Sequence, residues 1–326
     1  MTVLGFRIGW GAVRRLPDPA AYRLFDVIAD VTTRRDGKGV RRLRANYHRV
    51  RPELDDAALE RLVRAGMRSY MRYYCDAFRL PDRSVEEMAR SVRAANDGPI
   101  RALLESGRPA VAFAAHMGNW DTAGAWSTTQ LAPVTSVVER LEPEEVFAEF
   151  LELRESLGMT ILPLTGGEDP FAGLKRAVER GDFVAVVADR DLTSNGVEVD
   201  FCGHRARMAK GPAVLALMTR TPLFATAVYY EDAPSGRAFG GKRVVIDFSP
   251  VIEPPESGDS RSKVLAMTQQ CADYIGMRVR EHTESWHMLQ RVFLEDLDAA
   301  PGATAGGRGP QSAQPAGRRE VGGAGS

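Results

Sequence analysis

From residue 109 onward, short apolar segments alternate with stretches of helical period, and this alternation constrains the fold more than any other feature of the chain. The first segment, Pro109-Ala-Val-Ala-Phe-Ala-Ala115, carries no charge and follows Gly107. Further strands are expected at Val134–Glu139, Thr160–Pro163, Phe183–Ala188, Leu223–Tyr230 and Arg243–Phe248, with helices at Pro143–Leu157, Phe171–Arg180 and Lys210–Thr219 and a long helix at Ser260–Glu281. Upstream, Leu59, Leu62, Val63, Met67, Tyr70, Met71 and Tyr74 recur at three- and four-residue intervals and predict an amphipathic helix over 53–80. A second helix is expected to run from there to about Ala95, and a third over Ile100–Glu105. Parallel strands need crossovers, usually helical, so the pattern predicts an α/β fold with a mostly parallel central sheet flanked by helices.

The chain has 326 residues, enough for one large domain or two small ones. Lys and Arg (43) balance Asp and Glu (43), so whole-chain charge gives no sign of a nucleic-acid partner and only local charge is informative. The three cysteines, Cys75, Cys202 and Cys271, are far apart and form no CxxC or Cys/His spacing, which speaks against a disulfide scaffold or structural zinc and for a reducing compartment. No apolar run reaches the roughly 18–20 residues that span a bilayer, and no signal-peptide core opens the chain.

Charge is uneven at the amino end. Residues 1–51 hold twelve Lys or Arg against four acids, with Val3, Leu4, Phe6, Ile8, Trp10 and later Tyr22, Leu24, Phe25, Val27, Ile28 and Val31 among them. Short apolar stretches broken by Gly9, Gly11 and Pro17 and edged with cations suit helices lying on an anionic lipid surface. A pair of helices capping the core, with its basic residues in water, is the alternative. Residues 52–298 are read as the α/β domain. Residues 299–326, with eight Gly, seven Ala and no aromatic residue, cannot bury enough surface to fold and are expected to be a disordered tail.

The densest chemistry lies at the end of the first strong strand, in Ala114-Ala115-His116-Met117-Gly118-Asn119-Trp120-Asp121. Open α/β sheets place ligands at the carboxyl ends of their strands, where His116 falls, and a turn at Gly118 can bring Asp121 back toward the imidazole. A carboxylate on one ring nitrogen fixes the tautomer and leaves the other free to take a proton from a hydroxyl. The chain has no Gly-x-Ser-x-Gly elbow, so the expectation is a general base without a protein nucleophile. A structural histidine at a strand end is the alternative from this spacing alone.

His116-Met-Gly-Asn-Trp-Asp121 resembles the HX4D motif of glycerolipid-type acyltransferases, and more narrowly that of the lipid A biosynthesis (lauroyl/myristoyl) acyltransferase superfamily. The resemblance runs over about residues 1–295. Phe150-Leu-Glu-Leu-Arg154, Ala188-Asp-Arg-Asp-Leu192 with Gly196-Val-Glu-Val-Asp-Phe-Cys-Gly203, Gly211-Pro-Ala213 and Ser285-Trp286-His287 are similar to its later blocks. Asp-Arg-Asp stands where many lipid A enzymes have Asp-Gln, and Phe-Cys-Gly where they have Phe-Phe-Gly. These variants, with Glu139-Arg140, look most like the actinobacterial branch, the phosphatidylinositol mannoside acyltransferases.

That resemblance implies transfer of a palmitoyl-type chain from acyl-CoA to the 6-hydroxyl of a mannose on phosphatidylinositol mannoside, by a peripheral enzyme on the cytoplasmic face of the plasma (inner) membrane, with no cofactor or metal and no nucleic acid. It makes His116 the base and Asp121 its orienting partner. Arg154 would bind CoA phosphate, donate to the thioester oxyanion or brace the site, or else pair with Glu139 or Glu198 to hold the crevice wall. Glu139 would orient Arg154 or meet sugar hydroxyls. Asp189, Arg190 and Asp191, a charged triplet closing an apolar strand, would serve the acceptor headgroup or support the dyad, with Glu198 beside them. Arg205 and Arg207, with Lys210 before a helix start, suit CoA or lipid phosphates. Three other readings stay open: acylation of lipid A or another glycolipid, acyl-CoA hydrolysis with water as acceptor, and a non-catalytic membrane-binding protein of the same fold.

Overall fold

A computed structural model describes residues 11–140, 144–167, 169–193, 195–234 and 239–298. The expected tail at 299–326 and the apolar residues at 3–10 lie outside these. Helices α1 (Asp18–Arg34), α2 (Lys38–Val50), α3 (Asp56–Arg79) and α4 (Val85–Ser91) come first, followed by β1 (Val92–Ala95) and α5 (Gly98–Glu105). The alternating region holds β2 (Ala110–Ala114), α6 (Trp120–Gln130), β3 (Val134–Val138), α7 (Glu144–Ser156), β4 (Thr160–Pro163), α8 (Pro170–Arg180) and β5 (Phe183–Val187). Then come β6 (Val197–Phe201), β7 (His204–Met208), α9 (Gly211–Thr219), β8 (Leu223–Asp232), β9 (Lys242–Phe248), α10 (Ser260–Glu281) and α11 (Leu294–Asp298).

The main sheet has the order β1-β9-β8-β2-β5-β3-β4. Five neighbouring strands, from β8 to β4, run the same way, and β9 and β1 run opposite to them because β9 returns antiparallel beside β8. Every residue of β2 is buried, as its sequence Ala-Val-Ala-Phe-Ala requires of a central strand covered on both sides. Val111 and Phe113 join one core with Val63, Met67 and Trp286, whereas Ala110 and Ala112 join the other with Ile100 and Trp126. This two-residue alternation divides helices between two faces, and each fully buried Val or Phe contributes roughly 1.5–3 kcal/mol.

One expectation is corrected. Residues 92–95 are not the end of a helix. Ser84 and Glu87 form a reciprocal cap that starts a seven-residue helix, and the chain then extends so that Val92 to Ala95 pair with Val244 to Asp247 of β9. A four-residue edge strand reading Val-Arg-Ala-Ala has no alternation to reveal it. The segment around Glu198 folds as the hairpin β6–β7, turned at Cys202 (φ 53°) and Gly203 (φ 88°), the left-handed pair that a two-residue hairpin demands.

The amino-terminal segment divides in two. Helix α2 is built into the core through Leu43, Tyr47 and Val50, and its Asn46 amide donates to the carbonyls of Met288 and Gln290 at 2.8 and 2.9 Å. Helix α1 buries Ala21, Tyr22, Phe25 and Ala29 but turns Leu24, Val27, Ile28 and Val31 outward. No helix among the described residues is long and apolar enough to cross a membrane.

Candidate active site

Strand β2 ends at Ala114, and the next residues are pinned rather than loose. Met117 pairs antiparallel with Trp286, the Gly118 N–H donates to the Ser285 carbonyl at 2.8 Å, and the His287 N–H donates to the His116 carbonyl at 2.8 Å. Residues 285–287 thus form a strap across the turn. It is held in turn by α2, where the Tyr47 hydroxyl donates to the Trp286 carbonyl at 2.9 Å. Gly118 has φ 59°, and a Cβ there would overlap the backbone of Val228, so only glycine fits the turn. Asn119 then starts α6, its side-chain oxygen accepting from the Thr122 N–H at 2.9 Å.

Geometry corrects the expected dyad. The carboxylate on His116 is Asp189, whose Oδ1 lies 2.5 Å from Nδ1, and its other oxygen accepts the indole N–H of Trp286 at 3.0 Å. Asp189 directly follows Ala188 at the end of β5, the strand beside β2, so the two partners meet across neighbouring strand ends. Burial works against the Asp189 charge, but His116 and the indole hold its carboxyl below the usual range. The carboxylate is fully buried while the imidazole side chain is 32% exposed, so the open face belongs to the histidine. No described residue bonds His116 Nε2.

Asp121 sits in a separate buried cluster. Its Oδ1 accepts from Arg154 Nε at 2.7 Å and its Oδ2 from the Tyr73 hydroxyl at 2.7 Å. The residue lies in the first turn of α6, where its side chain faces α7 and α3 rather than the imidazole. Arg154 is thereby paired with Asp121 and not with Glu139 or Glu198. Its guanidinium stacks 4.3 Å from the Trp120 ring centroid, and its side chain is only 6% exposed. Burial opposes the Arg154 charge and the Asp121 carboxylate restores it, so its pKa is raised. Arg154 therefore braces the start of α6 through Asp121.

The remaining expected residues spread along the same carboxyl edge of the sheet. Arg190 pairs with Glu139 at 2.9 Å, linking the ends of β5 and β3. Asp191 accepts from the backbone and hydroxyl of Thr193 at 2.7 and 2.6 Å. Glu198 on β6 faces Arg205 and Arg207 on β7 at 3.4 and 3.7 Å, so the two arginines are partly neutralised within the hairpin. A cavity of about 480 Å³ lined by Arg108, Lys175 and Arg220 lies at the amino ends of β2 and β8, opposite His116, and has no part in this site.

Trp286, Tyr73 and His287 are site residues that spacing alone did not single out. Trp286 and His287 lay within a recognised block with no role attached, and Tyr73 was not among the apolar positions that predicted α3. His287 places Nε2 2.9 Å from the Ser69 hydroxyl and is partly buried. Burial first, and the nearness of His116 second, push its pKa down to about 3, so it is neutral at physiological pH.

A buried carboxylate thus holds a partly exposed imidazole at the sheet's carboxyl edge. The model of the bacterial lipid A biosynthesis acyltransferases matches residues 2–295. The chain belongs to that acyltransferase family. Among characterised relatives, the phosphatidylinositol mannoside acyltransferase of Mycolicibacterium smegmatis is 37% identical over 298 residues, covering 91% of this chain and 93% of the relative. That of Mycobacterium tuberculosis is 38% identical over 295 residues, covering 90% and 88%. Within this acyltransferase, the expected motif stands at the end of the central strand, but its two ends serve different clusters.

Proposed function

We propose that this acyltransferase moves a long, palmitoyl-type acyl chain from acyl-CoA to the 6-hydroxyl of a mannose on phosphatidylinositol mannoside. The observation that carries the reading is the His116–Asp189 pair, set in a chain that shares over a third of its residues with two enzymes named for that glycolipid. Asp189 accepts the Nδ1 proton and so leaves Nε2 as the base. As Nε2 takes the proton of the mannose hydroxyl, that oxygen attacks the thioester carbon; the tetrahedral intermediate collapses, and the departing thiolate recovers the proton from Nε2. No cofactor enters this scheme. The Glu139–Arg190 pair, Asp191 and the Glu198–Arg205–Arg207 hairpin border the same edge and are the groups available to sugar hydroxyls and phosphates.

The proposed work at the cytoplasmic face of the membrane needs a lipid-contacting surface, and α1 supports one. Leu24, Val27, Ile28 and Val31 are 42, 59, 39 and 38% exposed and recur at helical spacing, with Arg23, Arg34 and Arg35 nearby. An apolar stripe edged by cations is the pattern of a helix lying in an anionic interface.

The test is release of CoA from palmitoyl-CoA with and without a mannosylated phosphatidylinositol, with the lipid followed by mass spectrometry. Release that requires the mannolipid, with one acyl chain gained on mannose, is expected. Equal release without it would make the protein a thioesterase.

A further inference from the structure

Attack on a thioester puts negative charge on the carbonyl oxygen, and that oxygen needs a donor. Several charged and backbone donors at this edge already have partners. Arg154 is sealed under Trp120 with its guanidinium on Asp121, and the Arg190 side chain is 7% exposed and bound to Glu139. The N–H groups of Met117, Gly118 and His287 donate to Ala115, Ser285 and His116.

One ring is left. Because Met117 pairs antiparallel with Trp286, residue 287 lies directly across from residue 116, and cross-strand partners project side chains to the same face, with Cβ atoms about 5 Å apart. His287 fixes its far nitrogen, Nε2, on Ser69, and no described residue bonds its Nδ1. The Tyr70 and Tyr73 rings, with centroids 5.5 and 6.5 Å from it, hold the imidazole in place.

We infer that His287 is a second catalytic histidine, whose Nδ1–H donates to the thioester carbonyl oxygen as it becomes the tetrahedral oxyanion. Ser69 is its positioning residue: when its hydroxyl donates to Nε2, the ring proton must sit on Nδ1. In the step, the mannose oxygen forms its bond to the acyl carbon and loses its proton to His116 Nε2, while the C=O π electrons move onto the carbonyl oxygen held by His287. On collapse they return, the C–S bond breaks, and the thiolate takes the proton from His116. His287 gains and loses no proton, which suits a ring kept neutral by burial beside a histidine that becomes charged. A neutral imidazole is a suitable electrophile because it donates without ceding its proton.

The inference rests on the transfer reaction proposed above, and its test includes a measurement that does not depend on turnover. In wild type, His287→Ala, His287→Gln and Ser69→Ala, kcat and KM are measured for transfer, together with binding of a nonreactive thioether analogue of palmitoyl-CoA and of a tetrahedral phosphonate analogue. Loss of one oxyanion donor typically costs about 10²–10³ in kcat. His287→Ala is expected to lose that much with KM unchanged, and to weaken phosphonate binding but not thioether binding. His287→Gln, which restores a side-chain N–H, should recover at least tenfold over His287→Ala, and Ser69→Ala should fall between His287→Ala and wild type. Equal losses in His287→Ala and His287→Gln, a change in KM alone, or phosphonate binding unaffected by His287→Ala would overturn it. If wild type transfers nothing to the mannolipid, the proposed substrate fails, and the ratio of phosphonate to thioether affinity still decides the role of His287.

Discussion

Replacing Asp189 by asparagine separates the two carboxylates of the site. Asp189 accepts two bonds, from His116 Nδ1–H at 2.5 Å and from the Trp286 indole at 3.0 Å. Asparagine keeps the shape but offers one acceptor oxygen. The indole can only donate, so it claims that oxygen and turns the amide N–H₂ toward His116. Nδ1 must then accept, the ring proton moves to Nε2, and the nitrogen that should receive the mannose proton is blocked. A wrong tautomer of this kind costs on the order of 10⁴ in kcat, or about 5 kcal/mol of transition-state stabilisation. Initial rates of acyl transfer on purified Asp189→Asn, with circular dichroism confirming the fold, measure this. Asp121→Asn is the control: it leaves His116 and Asp189 in contact and should retain far more activity per folded molecule. A rate for Asp189→Asn within tenfold of wild type, beside a 10⁴-fold loss in Asp121→Asn, would refute the reasoning and return the orienting role to Asp121.

Asp121→Ala should be destabilised by about 3–5 kcal/mol in urea melts, because it strands the buried Arg154 guanidinium without its counter-ion; a loss under 1 kcal/mol would mean that Arg154 finds another partner or water. Stability should also fall on mild acidification. Folded His287 stays neutral down to about pH 3 whereas an exposed imidazole protonates near 6.5, so between those values the unfolded chain binds more protons. The contribution is fully present above pH 6.5 and about 2 kcal/mol of it is gone at pH 5. The depressed Asp189 carboxyl costs stability only at more acidic pH, as it titrates through its folded pKa. Urea melts at pH 7 and 5 check this, and His287→Gln should remove that share of the pH dependence. The double variant Val27→Glu, Ile28→Glu should fold normally, since both side chains are exposed, but lose cosedimentation with anionic vesicles; undiminished binding would place the lipid contact elsewhere.

The central strands were legible because they are buried on both faces and write themselves as short apolar runs, as in Ala110–Ala114, and the edge strand Thr160–Pro163 and the helix Ser260–Glu281 also fall where the sequence puts them. Strand β1 was not, because an edge strand of four residues owes its conformation to β9, 150 residues away. His116 could be found as a residue at a strand end. Its partner could not be fixed by spacing, because five residues along the chain do not tell whether a helix turns a carboxylate back or away. Asn119 caps α6 and the helix carries Asp121 toward Arg154, while parallel pairing of β2 with β5 brings Asp189 to the imidazole. The contribution of residues 285–287 is likewise tertiary: an antiparallel contact between segments 170 residues apart aligns His287 with His116.

The most direct measurement of the central claim compares transfer of a palmitoyl chain from palmitoyl-CoA to mannosylated phosphatidylinositol by wild type and by His116→Ala, both verified as folded. The account predicts an acylated mannolipid from wild type and a rate at least about 10³-fold lower from the variant, the loss expected when the base is removed. Wild-type-like transfer by His116→Ala would contradict it.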